Sequence, residues 1–277
     1  MDNKVRPTEP GAMDLLRRQV PEAEAGAADL AGPEAVVRAK ATSAGNVPFK
    51  MPVIEFDPVL RDRERILPAG AGGPYGTPYK MLRTQVINRL NQLNANALAV
   101  LSPTSGCGKT LTAINLAIAI AAERGRTVLL VDFDFKNPSI HRRFGFQPAV
   151  GIEECLQTFR PVHEAMVRIA GYERITVLPA RERTDNSSEL LAEPQTIELI
   201  DQMSRRYVNR ILIFDLPPVL QADDALLLSR HIPCGLMVAR EGSTRREDLT
   251  RSIELLHRLP LVGTVLNASR EPTKTAY

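Results

Sequence analysis

A short loop of small residues, Ser102–Thr110, lies between an apolar run and a helical pattern, and this arrangement constrains the fold more than any other feature. Ala97–Leu101 has the length of a strand, and residues 109–124 have the pattern of a helix. The backbone N–H groups of such a loop, together with the helix N-terminus, bind phosphate. The sequence therefore predicts a nucleotide site formed by Ser105, Gly106, Cys107, Gly108, Lys109, Thr110 and Leu111, although Pro103 stands where such loops have their first glycine.

Two further apolar runs end in carboxylates. Residues 127–131 lead directly into Asp132 and Asp134, and residues 210–214 lead into Asp215. Near-continuous apolar runs are typical of strands buried in a parallel sheet, and ligands bind beyond the carboxyl ends of such strands. These carboxylates are therefore expected to face the same crevice as the loop. The alternatives are a solvated turn at the end of the first strand and a turn cap before Pro217.

The three motifs together predict a site for ATP and Mg²⁺. Lys109 is expected to span the β- and γ-phosphates, while Thr110 and Asp215 hold the metal with support from Asp132. Lys109 and Asp132 are therefore two of the expected catalytic residues. Phosphoryl transfer requires mainly positioning and charge neutralisation from the protein.

The rest of the chain from residue 76 alternates between strand and helix patterns. This alternation predicts an α/β fold, a P-loop NTPase with a mostly parallel sheet flanked by helices and joined by right-handed crossovers. Strands are expected near 97–101, 127–131, 174–178, 210–214, 234–239 and 261–266. Helices are expected near 79–93, 109–124, 151–158, 162–169, 187–206, 223–230 and 245–258.

Residues 1–75 have a different composition, rich in Ala, Gly, Pro and mixed charge, with no aromatic residue before Phe49. Such a segment buries too little apolar surface to offset its ordering entropy. We expect a largely disordered extension over 1–75, with a hinge at 70–74, and a P-loop ATP-binding domain over 76–277. Two stretches are exceptions: 13–20 as a short helix, and 49–56 as a segment able to dock on the core or on another protein.

The composition limits the partners, the cysteine chemistry and the cellular location that we expect. A formal net charge of +3 is too small to indicate a nucleic-acid partner. The three cysteines are widely spaced, which is typical of reduced cytosolic thiols rather than of a zinc site or disulfides. No apolar run approaches the ~18 residues of a membrane span, and the first residues do not have the pattern of a signal peptide. The expected location is cytoplasmic, with recruitment to the inner membrane only through a partner.

Three sequence stretches resemble the bacterial tyrosine kinases of capsule and exopolysaccharide synthesis. They are VLSPTSGCGKTLTAINLA, VLLVDFDFKNPSIHRRFG and ILIFDLPPVLQADDALLLSR, and the similarity covers about residues 75–270. The resemblance implies a Min/Par-like branch of the P-loop fold and an ATP-dependent protein-tyrosine kinase that regulates exopolysaccharide or capsule synthesis or export. It also implies that the 76–277 domain is kinase-like, that Asp134, the third expected catalytic residue, accepts the proton of the tyrosine hydroxyl or orients the acceptor, and that Asn267 contacts adenine. The implied partner is a separate membrane polysaccharide co-polymerase or chain-length regulator, and further copies of the chain are a second class of partner.

Departures from the family pattern leave two other functions open. The chain has five tyrosines and ends in a single one, Tyr277, where the family has a tyrosine-rich tail. Its oligomerisation motif is altered at Thr77 and Lys80, and Lys136, Leu216 and Cys107 also replace common residues. One alternative is a catalytically weak pseudokinase or ATPase that regulates the membrane partner. The other is a Min/Par-type positioning ATPase, which Thr104 disfavours because partition ATPases carry a lysine there.

Overall fold

The computed structural model describes residues 51–206 and 209–269. Residues 1–50, including the helix predicted over 13–20, and the terminal Tyr277 lie outside the described residues. The strands are β1 (Val53–Ile54), β2 (Ala97–Leu101), β3 (Thr127–Asp132), β4 (Val167–Ile169), β5 (Ile175–Leu178), β6 (Arg210–Asp215), β7 (Gly235–Arg240) and β8 (Leu261–Asn267). The helices are α1 (Pro58–Arg63), α2 (Gly76–Gln92), α3 (Lys109–Ala121), α4 (Ile140–Arg143), α5 (Ile152–Thr158), α6 (Ser187–Ala192), α7 (Pro194–Arg206), α8 (Asp224–Leu228) and α9 (Arg246–Leu255), with a 3₁₀ turn at Val162–Glu164.

These strands form one sheet in the order β1-β4-β5-β3-β6-β2-β7-β8. The β4–β5 pair is antiparallel and the other pairs are parallel. Alternate residues of β3 contribute to two different apolar clusters. Val128 and Leu130 pack on one face with α2 and α3, and Leu129 and Val131 pack on the other with α5 to α8. The sheet is therefore covered on both faces, and the predicted fold class is confirmed.

Two predicted helices differ in the structure. Residues 162–169 are not one helix, because only the 3₁₀ turn forms and Val167–Ile169 instead pairs with both β1 and β5. Residues 187–206 form two helices, since Glu193 is extended (ψ 137°) and the following Pro194 favours an extended conformation before it.

The expectation of disorder is wrong for residues 57–75, which follow the segment expected to dock. Phe56 packs edge-on against Phe144 with ring centroids 5.1 Å apart, and Ile66 and Leu67 are buried in the core. The described residues belong to one compact unit, so the predicted boundary at residue 75 falls inside it. Docking of the 49–56 stretch on the core is seen at Val53–Phe56.

No helix in the described part of the chain is both long enough and apolar enough to cross a membrane.

Candidate active site

The loop between β2 and α3 depends on two glycines in left-handed conformations. Gly106 has φ 77° and Gly108 has φ 90°, a region that side chains disfavour. A Cβ atom at Gly108 would also lie 2.1 Å from Asn267 Nδ2. Asn267 donates from Nδ2 to the Cys107 carbonyl oxygen at 2.9 Å, so the end of β8 contacts the loop directly.

Lys109, the first residue of α3, lies between two carboxylates. Its Nζ donates to Asp134 Oδ2 at 2.5 Å and to Asp215 Oδ1 at 3.4 Å. The side chain is only 9% exposed. Burial alone lowers the pKa of Lys109, but the charges of Asp215 and Asp134 outweigh it, so the pKa is raised. The ammonium group therefore remains charged at the base of the loop.

Asp132 and Asp215 lie side by side because β3 and β6 pair in parallel at this register. Asp215 Oδ2 accepts a hydrogen bond from Thr110 Oγ1 at 2.6 Å. Asp132 Oδ2 accepts from the backbone N–H groups of Ser139 and Ile140, both at 3.0 Å. Burial, followed by the charge of Asp215, raises the pKa of Asp132 to about 8. Through the hydrogen bonds from Ser139 and Ile140, Asp132 fixes the turn into α4. A direct catalytic or metal role for Asp132 stays a prediction.

The arrangement fits an Mg²⁺ ion with few protein ligands. Within the described residues, no group of three or more His, Cys, Asp and Glu side chains is placed to hold a metal. Mg²⁺ commonly takes only one or two protein ligands and completes its shell with phosphate oxygens and water. Thr110 and Asp215 offer such a pair of oxygens. Burial raises the pKa of Asp215, and a cation bound nearby would oppose that rise.

A cavity of about 1020 Å³ opens over the loop. Among the described residues, its wall carries five cationic side chains and a single carboxylate, that of Asp134; the cations are Arg65, Lys109, Lys136, Arg143 and Arg240. This balance of charge suits a polyanion such as a nucleoside triphosphate.

The structure brings most of the predicted site residues to this cavity. Those that line it are Ser105, Gly106, Gly108, Lys109, Thr110, Leu111, Asp134 and Asn267. Cys107 is buried instead, with its Sγ 3.4 Å from Thr244 Oγ1. Asp132 and Asp215 lie fully buried beneath the cavity and do not line it.

Sequence reasoning missed several residues of the site. Arg240 donates from Nη1 to the Gly106 carbonyl oxygen at 3.1 Å, and its position at the end of β7, on the same sheet edge, could have revealed it. Ser139 donates from Oγ to Thr110 Oγ1 at 3.2 Å. Arg65 comes from the segment expected to be disordered, so no local pattern indicated it.

Comparisons with known proteins agree with this geometry. Residues 98–276 match the model of the CobQ/CobB/MinD/ParA nucleotide binding domain. The chain is 27% identical over 201 residues to the tyrosine-protein kinase YwqD of Bacillus subtilis, covering 72% of this chain and 83% of that protein. It is 32% identical over 195 residues to the putative tyrosine-protein kinase EpsB of Ralstonia nicotianae, covering 68% of this chain but only 25% of the relative.

Solved structures give the same result. The kinase domain of the Escherichia coli tyrosine kinase ETK aligns with a TM-score of 0.65 and 26% identity, covering 72% of this chain and 77% of that one. The BceF tyrosine kinase domain aligns with a TM-score of 0.61 and 25% identity, covering 68% and 75%. With a family match over more than half its length and kinase domains as relatives, this chain belongs to the CobQ/CobB/MinD/ParA family of nucleotide-binding domains.

Proposed function

We propose that this chain binds Mg·ATP in the cavity over Ser102–Thr110 and transfers the γ-phosphoryl group to a tyrosine hydroxyl. One observation carries the proposal. Lys109, the first residue of α3, lies between Asp134 and Asp215, and the next residue, Thr110, donates to Asp215. Both the phosphate-binding groups and a candidate base therefore converge on one point of the cavity.

Each residue has a distinct part in this proposal. The amides from Ser105 to Thr110 hold the phosphates. The Lys109 ammonium group releases its hydrogen bond to Asp134 and donates to phosphate oxygens instead. Thr110 and Asp215 would hold Mg²⁺, which would supply charge neutralisation. Asp134 then accepts the tyrosine proton at a carboxylate oxygen while the tyrosine oxygen bonds to the γ-phosphorus. The bond from that phosphorus to the β–γ bridging oxygen breaks, and ADP leaves.

The proposed biological role comes from the relatives. YwqD and ETK are named tyrosine kinases, and EpsB a putative one. The chain spans 83% of YwqD but only about a quarter of EpsB and of several other kinase relatives. We propose that the chain acts in the cytoplasm and regulates exopolysaccharide or capsule synthesis or export, through a separate membrane co-polymerase or chain-length regulator. A homo-oligomer belongs to the same proposal.

A catalytically weak ATPase that acts on its partner through nucleotide state is the second candidate. The exposure of the described tyrosines favours it, because Tyr79 and Tyr172 are largely buried and Tyr75 is the exposed one within 51–206 and 209–269. A positioning ATPase receives less support, since the short side chain of Thr104 lies 3.7 Å from Cys107 Sγ within its own loop.

Labelled ATP separates the first two candidates. The purified protein is incubated with Mg²⁺ and γ-labelled ATP, with and without the cytoplasmic segment of the membrane partner, and both phosphotyrosine and ADP are quantified. We expect label on tyrosine that disappears in Lys109→Ala. ADP release without any phosphotyrosine, in both mixtures, would establish the ATPase instead. ATP-dependent dimers without phosphoprotein would support the positioning ATPase.

A further inference from the structure

A segment outside the matched family region forms part of the cavity wall. We call residues 53–75 the strap; it comprises β1, α1 and the chain that leads to α2. Arg65 and Tyr75 of the strap line the same cavity as Lys109 and Asp134. The match to the nucleotide-binding family model begins only at residue 98, so the strap lies outside the region that this model describes.

The strap is fixed to the helix that begins at the phosphate-binding loop. The buried Asn115 of α3 accepts from the Leu67 N–H at 2.9 Å and donates to the Arg65 carbonyl oxygen at 3.0 Å. Tyr172 donates from its hydroxyl to the Leu67 carbonyl oxygen at 2.8 Å. Asn115 lies six residues beyond Lys109, roughly 9 Å along the helix axis. The backbone of Arg65 is therefore held at a defined position relative to the loop.

Arg65 itself has an unusual backbone. Its φ is 56°, in the left-handed region that only a few per cent of non-glycine residues adopt. Arg65 follows the C-cap of α1, where helices commonly end in this conformation, and the Ile66 N–H donates to the Arg61 carbonyl oxygen at 2.9 Å. Here the bond from Asn115 to the Arg65 carbonyl oxygen helps to hold it.

The guanidinium of Arg65 has no partner in the described part of the chain, unlike the other four cations of the cavity wall. Lys109 binds Asp134 and Asp215, and Lys136 donates to the Asp185 carbonyl oxygen. Arg143 pairs with Glu64, and Arg240 binds the Gly106 carbonyl oxygen. Arg65 is thus the wall cation that is free to take an anionic ligand.

We infer that Arg65 is a phosphoryl-binding residue, supplied by the strap to the terminal phosphate of the nucleotide. The inference rests on the proposed Mg·ATP site and adds a residue to it. Arginine suits this task because its planar guanidinium can donate two parallel hydrogen bonds to phosphate oxygens. The same chemistry could serve the phosphate of a freshly phosphorylated tyrosine, so the test must distinguish the two sources.

Calorimetry with two nucleotides provides the test. The affinities of Mg·ADP and of Mg·AMP-PNP, a non-hydrolysable ATP analogue, are measured for the unmodified chain, Arg65→Ala, Arg65→Lys and Arg63→Ala. Arg63 is the matched control, because it is an exposed arginine at the end of α1 and does not line the cavity. We expect Arg65→Ala to weaken AMP-PNP binding about tenfold or more, as for loss of a charged hydrogen bond. ADP binding should change less than threefold, and Arg65→Lys should lie between.

The other outcomes are equally defined. If both nucleotides bind as before but phosphotyrosine binds more weakly to the Mg·ADP-loaded Arg65→Ala protein, the phosphoryl ligand is the product. If Arg65→Ala matches Arg63→Ala with all three probes, the inference is overturned while the Mg·ATP site stands. Failure of the unmodified chain to bind either nucleotide would instead reject the proposed function. Thermal unfolding of each variant shows whether the fold is retained.

Discussion

At the scale of single residues, Lys109 connects the phosphate-binding loop with the carboxylates of β3 and β6. We expect Lys109→Ala to abolish or severely reduce ATP binding, because the loop loses the cation directed at the β- and γ-phosphates. Calorimetry measures the affinity, and Lys80→Ala on the exposed side of α2 controls for the lost charge. Lys109→Met keeps most of the volume if the alanine variant unfolds. Unchanged ATP affinity in both Lys109 variants would place the site elsewhere.

Asp134 is the one carboxylate that lines the cavity within residues 51–206 and 209–269. Asn137 N donates to its Oδ1 at 3.0 Å, a bond that the amide oxygen of an asparagine can also accept. We therefore expect Asp134→Asn to leave Mg·ADP binding nearly intact while phosphoryl transfer falls roughly 10²–10⁴-fold, the usual contribution of a general base. Single-turnover transfer and calorimetry measure the two effects separately. Lost ADP binding would identify Asp134 as a metal or phosphate ligand instead.

At the scale of elements, most strands and the loop after β2 could be predicted from sequence, because apolar runs and loop glycines are local patterns. Strands β2, β3, β5, β6, β7 and β8 lie within a residue of their predicted bounds, because continuous apolar runs are what a two-sided sheet requires. The three-residue strand β4 is different, since its conformation comes from pairing with β1 and β5. The strap was missed for the same reason: the contacts of Phe56, Leu67 and Arg65 are all made with distant residues.

The attachment of the strap to α3 gives a stability prediction. Asn115→Ala leaves the Leu67 N–H and the Arg65 carbonyl oxygen without their partner. Leaving a buried polar group unsatisfied costs about 1–3 kcal/mol, so we expect the free energy of unfolding to fall by that amount. Denaturant unfolding measures it, with Asn91→Ala on the exposed face of α2 as the control. Equal stability of the two variants would show that the strap does not depend on Asn115.

Helix α4 gives a prediction about pH. Burial, and then the charge of Arg142, lower the pKa of His141 below its usual 6.5. The unfolded chain therefore binds a proton at a higher pH than the folded chain does. The free energy of unfolding should fall as the pH drops below 6.5 toward the folded-state pKa, and this contribution should be absent above 6.5.

The comparison of His141→Gln with His231→Gln tests this dependence. His231 is exposed, so its replacement should leave the pH profile of the unmodified chain in place. We expect His141→Gln to flatten the decline just below pH 6.5, measured by urea unfolding at several pH values. Identical slopes for all three proteins would mean that His141 does not resist protonation in the folded chain.

At the scale of the whole molecule, the site is a property of the sheet edge rather than of any one motif. Parallel strands share one carboxyl edge. This edge brings together the loop after β2, the carboxylates at the ends of β3 and β6, Arg240 of β7 and Asn267 of β8. This part of the site could be predicted from the ends of the apolar runs. The contribution of the strap could not, because it depends on a buried asparagine 48 residues away from Leu67 along the chain.

The same arrangement limits which tyrosines can be phosphorylated. Tyr172 is 8% exposed and donates its hydroxyl to Leu67, and burial raises the pKa of Tyr79. Tyr75 is 47% exposed, and both Tyr75 and the half-buried Tyr79 line the cavity. We expect weak autophosphorylation, confined to Tyr75, Tyr79 or Tyr277. A single phosphate adds only about −1.5 to −2 charges, so we expect the proposed control of a partner by ATP state to be the main output.

Mass spectrometry after incubation with Mg·ATP tests this expectation, with Tyr75→Phe and Tyr277→Phe measured separately. If Tyr75 is the acceptor, Tyr75→Phe removes the label and Tyr277→Phe leaves it. Because Tyr75 lines the cavity of its own chain, its labelling rate per molecule should not depend on protein concentration, whereas transfer to another copy's Tyr277 should rise with concentration. Heavy phosphorylation of Tyr172 would contradict the expectation, since its buried hydroxyl is bonded to the Leu67 carbonyl oxygen and the core would have to open to release it.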